Sequence, residues 1–322
     1  MTQESLKQLI GHCASAALQQ ILWQGLRQDL SPAVAVARLL IHTQDAAYVE
    51  QLLSLVAERA SVLPSAATAR QRAAEMRRLL QENRDGCARI IHILQGGMNT
   101  DVLAPSSEAG IAFWTQFFDR AVRQSEEASV AVYSLGNPHL LQEATAEVIA
   151  LLDTWGVLQP ERTVLQIGCG IGRFEAALAS RVREVHGIDI APGMVEAARR
   201  RCQGLANVHI QACSGQDLAL FGAGVFGLVY AVDSFPCVYQ AGPALVERYF
   251  AEVARVLTPG GDFVLLNFTY RSDPEADRTD VQDLARRYGF EVAVNGTSPL
   301  QLWDGRAWWL RSLHPHRSLD RR

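Results

Sequence analysis

Residues 164–174 read VLQIGCGIGRF, a β-branched run ending in Gly168, Gly170 and Gly172 that leads straight into a helical pattern. Glycines at that spacing let a backbone turn tightly and approach a ligand closely, and the following helix N-terminus favours an anionic group. Asp189 stands at the end of the next run, EVHGIDI. A carboxylate there can accept both hydroxyl hydrogens of a ribose, so the two features together predict a nucleoside-bearing cofactor. The dinucleotide fingerprint GxGxxG would place its third glycine where this chain has Arg173, so the spacing is GxGxG instead.

With the following GIDIAPGMVEAARR and the turn LTPGG before the fifth run, this stretch resembles the class I S-adenosylmethionine-dependent methyltransferases over about residues 130–313. The resemblance implies that the loop of Gly168, Cys169, Gly170 and Gly172 lies under the methionine part of S-adenosyl-L-methionine. It makes Asp189 the ribose ligand and sets Ile190 beside the adenine. The segment SGQDL, 214–218, is similar to the stretch that cups the adenine, with Gly215 offering backbone groups. Asp217 is the candidate for the exocyclic amine and Ser214 the alternative. Val232, at the end of the fourth run, joins the same set. Two positions depart from the common pattern: many members carry an acid where Gln166 stands, and many carry Asp where Gly227 stands. Gln166 can still hydrogen-bond the amino end of the cofactor.

Methyl transfer is an in-line displacement, so the protein mostly positions the acceptor and, where the acceptor is acidic, removes a proton. The segment AVDSFPCVYQ, 231–240, occupies the place where this family meets the transferred methyl, which makes Asp233 a candidate base, its other reading being a loop cap. His139 is a second candidate base and Tyr239 a third catalytic candidate. Tyr133 lies where related enzymes bring a strap over the cofactor and reads either as a cation–π partner of the sulfonium or as a core tyrosine. Asn267 and Tyr270 are candidates for the acceptor pocket. Pro236-Cys237 matches the place of the nucleophile in cytosine carbon-5 methyltransferases. The other motifs of those enzymes are absent from the sequence, so Cys237 reads as pocket lining. There is no Asn or Asp followed by Pro-Pro-Tyr, and Arg199, Arg200 and Arg201 read as a solvated helix face.

The elements that must hold these residues follow from the patterning. Short runs at 163–168, 184–190, 207–212, 227–232 and 262–268 alternate with helical segments, which predicts a doubly wound, Rossmann-like α/β sheet covered on both faces. FEVAVNGT and RAWWLRSL follow a helix around 278–288 and would complete the sheet at one edge, with Trp303, Trp308 and Trp309 packing there. Residues 2–95 are helical throughout, in four or five short helices, with Ser31 before Pro32 as a cap and Ser65 opening another helix. QGGMNTDVLAPSSE, 95–108, reads as a linker. Two more helices are expected at about 108–125 and 138–154, the latter capped by Asn137. The chain therefore divides into a helical domain, 1–100, serving as substrate lid or dimerisation element, and a methyltransferase domain, 101–322.

Composition bounds the partners. The 322 residues are 48% hydrophobic and 20% charged, with a formal net charge of −4, so no bulk field recruits nucleic acid or an anionic membrane. Only the stretch from 305 on is locally basic, and Lys7 is the single lysine. Six cysteines, among them Cys13, lack disulfide-framework or metal-like spacing, and no metal is expected. No apolar run reaches the roughly 18 residues of a membrane span, and the start is amphipathic, so a cytoplasmic protein is expected. The function expected is methyl transfer from S-adenosyl-L-methionine to a small molecule held between the helical region and the sheet, with a homodimer through the N-terminal helices as one arrangement. The alternative is a non-catalytic S-adenosylmethionine-binding or interaction protein, and behind it a protein or nucleic-acid methyltransferase.

Overall fold

The computed structural model describes residues 15–61, 66–97 and 103–313. The amphipathic start with Lys7 and Cys13, the helix opening at Ser65, the linker residues 98–102 and the basic stretch from 314 on lie outside the described residues. Packing divides the chain into two units. One holds Met1–Met98, Ala121–Glu147 and Leu300–Asp304, and the other holds Asn99–Arg120, Val148–Pro299 and Gly305–Arg322. The division is therefore not a single cut near residue 100.

The first unit is helical: α1 (Ala16–Leu26), α2 (Pro32–Thr43), α3 (Ala46–Ser61), α4 (Ala67–Glu82) and α5 (Arg84–Gln95). The Ser31 hydroxyl accepts from Val34 N at 3.2 Å with Pro32 in the first turn, so the expected cap forms. Apolar residues at helical spacing, such as Leu22, Val36, Leu40, Leu53 and Met76, are fully or almost fully buried. Helix α6 (Ser107–Gln124) ends in this unit, followed by α7 (Glu126–Val130), a 3-10 turn at Val132–Ser134 and the first part of α8 (Pro138–Thr154). Asn137 caps α8, its Oδ1 accepting from His139 N at 2.8 Å. Residues 300–304 belong here because the Glu147 carboxylate accepts from Gln301 N and Leu302 N, and the Tyr133 ring stacks on Trp303 at 5.4 Å. Trp303 thus packs on Tyr133 in the helical unit.

The second unit is a seven-stranded sheet of β1 (Thr163–Ile167), β2 (Glu184–Asp189), β3 (Val208–Ala212), β4 (Phe226–Val232), β5 (Leu257–Leu266), β6 (Phe290–Thr297) and β7 (Ala307–Ser312). Its order is β3-β2-β1-β4-β5-β7-β6. The first five neighbours pair in parallel, and β7 runs antiparallel to both β5 and β6. Helices α9 (Arg173–Leu178), α10 (Pro192–Arg201), α11 (Phe235–Gln240), α12 (Pro243–Val256) and α13 (Pro274–Tyr288) complete the unit. Five consecutive buried residues in β1 explain why its sequence is a continuous apolar run rather than an alternation. LTPGG, expected as a turn before β5, lies inside the strand instead. The pairing jumps from Phe226↔Leu257 to Leu228↔Asp262, so the extra residues bulge out without ending the strand. No helix among the described residues is long and apolar enough to cross a membrane.

A buried ion pair ties the amino-terminal side of this sheet together and accounts for Gly227. Arg162 Nη1 donates to Asp262 Oδ2 at 2.6 Å, to Gly227 O at 3.2 Å and to Val157 O at 3.0 Å. A Cβ on residue 227 would stand 2.9 Å from Arg162 Cγ, so a side chain there would displace the arginine. Trp309 Nε1 donates to the other oxygen of Asp262 at 2.8 Å while its ring stacks on Trp155. Asp262 is 2% exposed, so removing it strands a guanidinium and an indole N–H. Asp262→Ala is expected to lower the unfolding free energy by about 3–5 kcal/mol, measured by urea denaturation. The joint replacement Arg162→Met, Asp262→Leu is expected to lose less, because the one cation left behind, Arg311, is half-exposed and can be solvated.

Candidate functional site

The carboxyl ends of β1, β2, β4 and β5 meet where the strand order reverses, the place at which open α/β sheets bind ligands. The chain leaves β1 through Gly168 at φ +74°, where Gly168 N and Cys169 N both donate to Ile188 O at 2.9 Å. A Cβ on residue 168 would stand 2.4 Å from Ser234 Cβ, and the Ser234 hydroxyl donates to Ile167 O at 2.6 Å. Gly170 and Gly172 also have positive φ, and Gly172 leads directly into α9.

Asp189 closes the loop from the β2 side. Its Oδ2 accepts from Gly170 N and its Oδ1 from Ala191 N, each at 2.9 Å. Burial raises its carboxyl above the ordinary value, opposed by the amides of Ala191, Gly170 and Ile190. The stretch after β3 is held against it by Cys213 N donating to Asp189 O and by the buried Tyr249 hydroxyl donating to Gly215 O at 3.1 Å. Gly215 has φ +74°, and a Cβ there would meet Ile190 Cγ2 at 2.7 Å and Ile111 Cγ2 at 3.1 Å. Ile111 comes from α6, whose first part belongs to the sheet unit. The sequence reading expected a helix at about 108–125 but gave it no place at the site. Ala104 N donates to Gln240 O at 2.8 Å, Gly110 approaches Ala241, and Asp119 Oδ1 accepts from Gly193 N at 2.8 Å in the first turn of α10. Residues 103–120 thus pack on the loops at the strand ends, the position the sequence reading gave to VAVYSLGN. An aspartate within a helical run carries no signal of a partner 74 residues away.

The other predicted residues fall as follows. Ser214 is exposed, its hydroxyl accepting from Gln216 N. Asp217 Oδ1 accepts from Ala219 N, and its side chain lines a groove of about 390 Å³ with Arg248, Glu252 and Arg255. Val232 is buried at the end of β4, and Ile190 is half-buried. Asp233 (φ +58°) and Asn267 (φ +64°) are both left-handed at the ends of β4 and β5, a conformation that Asp and Asn tolerate best among residues with a side chain. They face each other, with Asn267 Nδ2 donating to Asp233 Oδ1 at 2.9 Å, and Asn267 Oδ1 accepts from Arg306 N. Tyr239 accepts at its hydroxyl from Arg271 Nη1, and the guanidinium lies 5.5 Å over its ring. Tyr270 is partly exposed. Burial, then Asp233 and Asp189, push the Cys237 thiol well up, the opposite of what a nucleophilic thiolate needs. Tyr133 and His139 lie in the helical unit. His139 is exposed and pairs with Glu143 at 3.6 Å.

Beneath the glycine loop lies a feature absent from the sequence reading. Gln166, Gly187 and Tyr230 are register partners on neighbouring strands, and Glu175 of α9 packs over Gly187, where a Cβ would stand 2.8 Å from Glu175 Oε1. Gln166 Oε1, both Glu175 oxygens and the Tyr230 hydroxyl are buried without a hydrogen-bond partner. Burial pushes the Glu175 carboxyl up to about 8, Asp189 adding to the rise and Arg173 opposing it. A carboxyl raised on folding holds its proton in the native state and releases it when unfolded, so its contribution is full below about pH 4.5 and is lost as pH rises to about 8. Glu175→Gln is therefore expected to gain stability relative to the wild type progressively from pH 5 to pH 8, by a few kcal/mol at about 1.4 kcal/mol per unit, read from melting curves across that range.

These groups fit an S-adenosyl cofactor. Asp189 offers a fixed carboxyl group at the strand crossover and Gln166 Oε1 an unused acceptor at the end of β1, while Gly168 and Gly215 let Ser234, Ile190 and Ile111 close in around them. Residues 164–261 match the family model described as a methyltransferase domain. The chain is similar to an S-adenosyl-L-methionine-dependent Diels-Alderase of Talaromyces variabilis, 31% identical over 129 residues, 38% of this chain and 42% of that protein. It is also similar to a demethylmenaquinone methyltransferase of Tropheryma whipplei, 28% identical over 111 residues, 33% of this chain and 42% of that protein. The chain thus spans about two fifths of the length of these curated relatives. Among solved structures it matches the magnesium protoporphyrin IX methyltransferase of Synechocystis PCC 6803 with bound S-adenosylmethionine, at 19% identity and TM-score 0.46, covering 63% of this chain and 97% of that one. Residues 164–261 of the chain thus match a methyltransferase domain.

Proposed function

We propose that this protein transfers a methyl group from S-adenosyl-L-methionine to a small-molecule acceptor at the carboxyl ends of β1, β4 and β5. The observation that carries the reading is the buried Asp189 carboxylate, pinned by Gly170 N and Ala191 N at the crossover of the sheet. Asp189 holds the ribose, the loop of Gly168, Cys169, Gly170 and Gly172 lies under the methionine part, and Gln166 Oε1 accepts from the amino group. Ile190, Gly215 and Ile111 wall the adenine, with Ser214 and Asp217 as the polar candidates beside it. The bound cofactor supplies a methyl group on a sulfonium, open to in-line displacement.

On the acceptor side the protein's own contribution is placement and proton removal. Asn267 Nδ2 donates to Asp233 Oδ1 and so orients a carboxylate at the end of β4 that can take a proton from an acceptor N–H or O–H as the new bond forms. The Asp233 and Asn267 backbones are both left-handed, and such strain persists where surrounding structure over-determines it, as at a working site. Phe235 and Phe268, stacked at 6.0 Å, are fully buried beneath this end and hold the Asp233 and Asn267 backbones from below, with the Tyr239 ring packed edge-on to Phe268.

The similarity to a protein named as a Diels-Alderase supports a second reading, in which the bound cofactor is retained and a cyclisation is accelerated. Measuring S-adenosylhomocysteine formation separates the two, because only transfer consumes the methyl group. Asp189→Ala is expected to weaken S-adenosylmethionine binding at least tenfold in calorimetry. Asp233→Asn, which keeps a residue tolerant of the left-handed backbone, is expected to leave that affinity unchanged and lower kcat roughly a hundredfold. Binding that is indifferent to Asp189 would overturn the cofactor site, and an intact kcat in Asp233→Asn would remove it as the base.

A further inference from the structure

At the other end of β2 lies a cluster that the methyl-transfer reading does not use. Glu184 and His186 are two residues apart on β2, so both side chains leave the same face of the sheet. His209 on β3 is the register partner of His186, and β3 is the edge strand. The two imidazole centroids are 4.7 Å apart, and His186 Nε2 is 3.6 Å from Glu184 Oε2. One ligand atom from each of the three lies within 4.8 Å of the others.

We propose that Glu184, His186 and His209 form a binding site for a divalent transition-metal ion of the zinc class. Metal–ligand bonds of about 2.0–2.1 Å in a tetrahedron set neighbouring ligand atoms about 3.4 Å apart, close to the His186–Glu184 separation. The edges of Phe221 and Phe226, at 5.8 and 5.4 Å, hold the His186 ring, while His209 is exposed and free to swing toward it about its side-chain bonds. Two imidazoles with one carboxylate select zinc, copper or nickel over magnesium and calcium, which prefer all-oxygen shells. His186 precedes Asp189 by three residues, about 10 Å along a strand, so an ion here touches no reacting atom. It clips the edge strand β3 to β2, next to the strand end that carries Asp189. The site stands independently of the methyltransferase reading.

Zinc titration calorimetry on chelator-treated full-length protein tests it, with His209→Ala and Glu184→Gln as variants at partly or fully exposed positions and melting curves as a check of folding. The expected result is one zinc ion per chain in the wild type, with affinity lowered at least tenfold in each variant. With Cu²⁺ as the probe, paramagnetic resonance is expected to show two coordinated imidazole nitrogens in the wild type and one in His209→Ala. No zinc binding by the wild type, or equal binding by wild type and variants, overturns the proposal, the latter pointing to cysteine ligands elsewhere.

Discussion

The site depends on a negative charge held out of water. Asp189 accepts from backbone amides on both sides, Gly170 N from the first loop and Ala191 N from the second, so a single side chain joins the exits of β1 and β2. Burial works against its ionisation, and the amides work for it. The glycines are the other half of this constraint: Gly168 must let Ser234 come close, and Gly215 must let Ile190 and Ile111 come close. A carboxylate fixed by backbone alone is already oriented for a ligand, so little ordering remains to be done when one binds.

Much of this was legible in the sequence because it is local. The glycine spacing, the acid at the end of the next run, the alternation of apolar runs with helices and the caps at Ser31 and Asn137 are all short-range patterns, and each appears where it was expected. What was not legible is long-range. Asp119 reaches Gly193, Ile111 reaches Gly215, and Glu175 packs over Gly187, and no periodicity announces such pairs. Tyr133, which its place before the sheet left open as a strap over the cofactor or a core tyrosine, is buried and stacks on Trp303, a partner 170 residues away that no local pattern announces.

Gly227 and Gln166, the two departures from the common family pattern, have different physical meanings. Gly227 is a matter of space, since Arg162 occupies the volume a side chain would take and finds its carboxylate in Asp262. Gln166 is a matter of charge. The neutral amide sits in a buried region where Glu175 is raised to about 8 and Tyr230 lacks a partner, and a carboxylate in its place would meet the same burial that keeps Glu175 protonated.

The Arg162–Asp262 pair lies toward the starts of β1 and β4, whereas the residues assigned to ligand or acceptor lie at the carboxyl ends of the parallel strands and in the segments packed on them. The cohesion of the sheet and the chemistry it carries are thus written at opposite ends of the same strands. A lineage can exchange residues around Asp233, Asn267 and Tyr239, and so change what it acts on, without touching the contacts that keep the sheet folded.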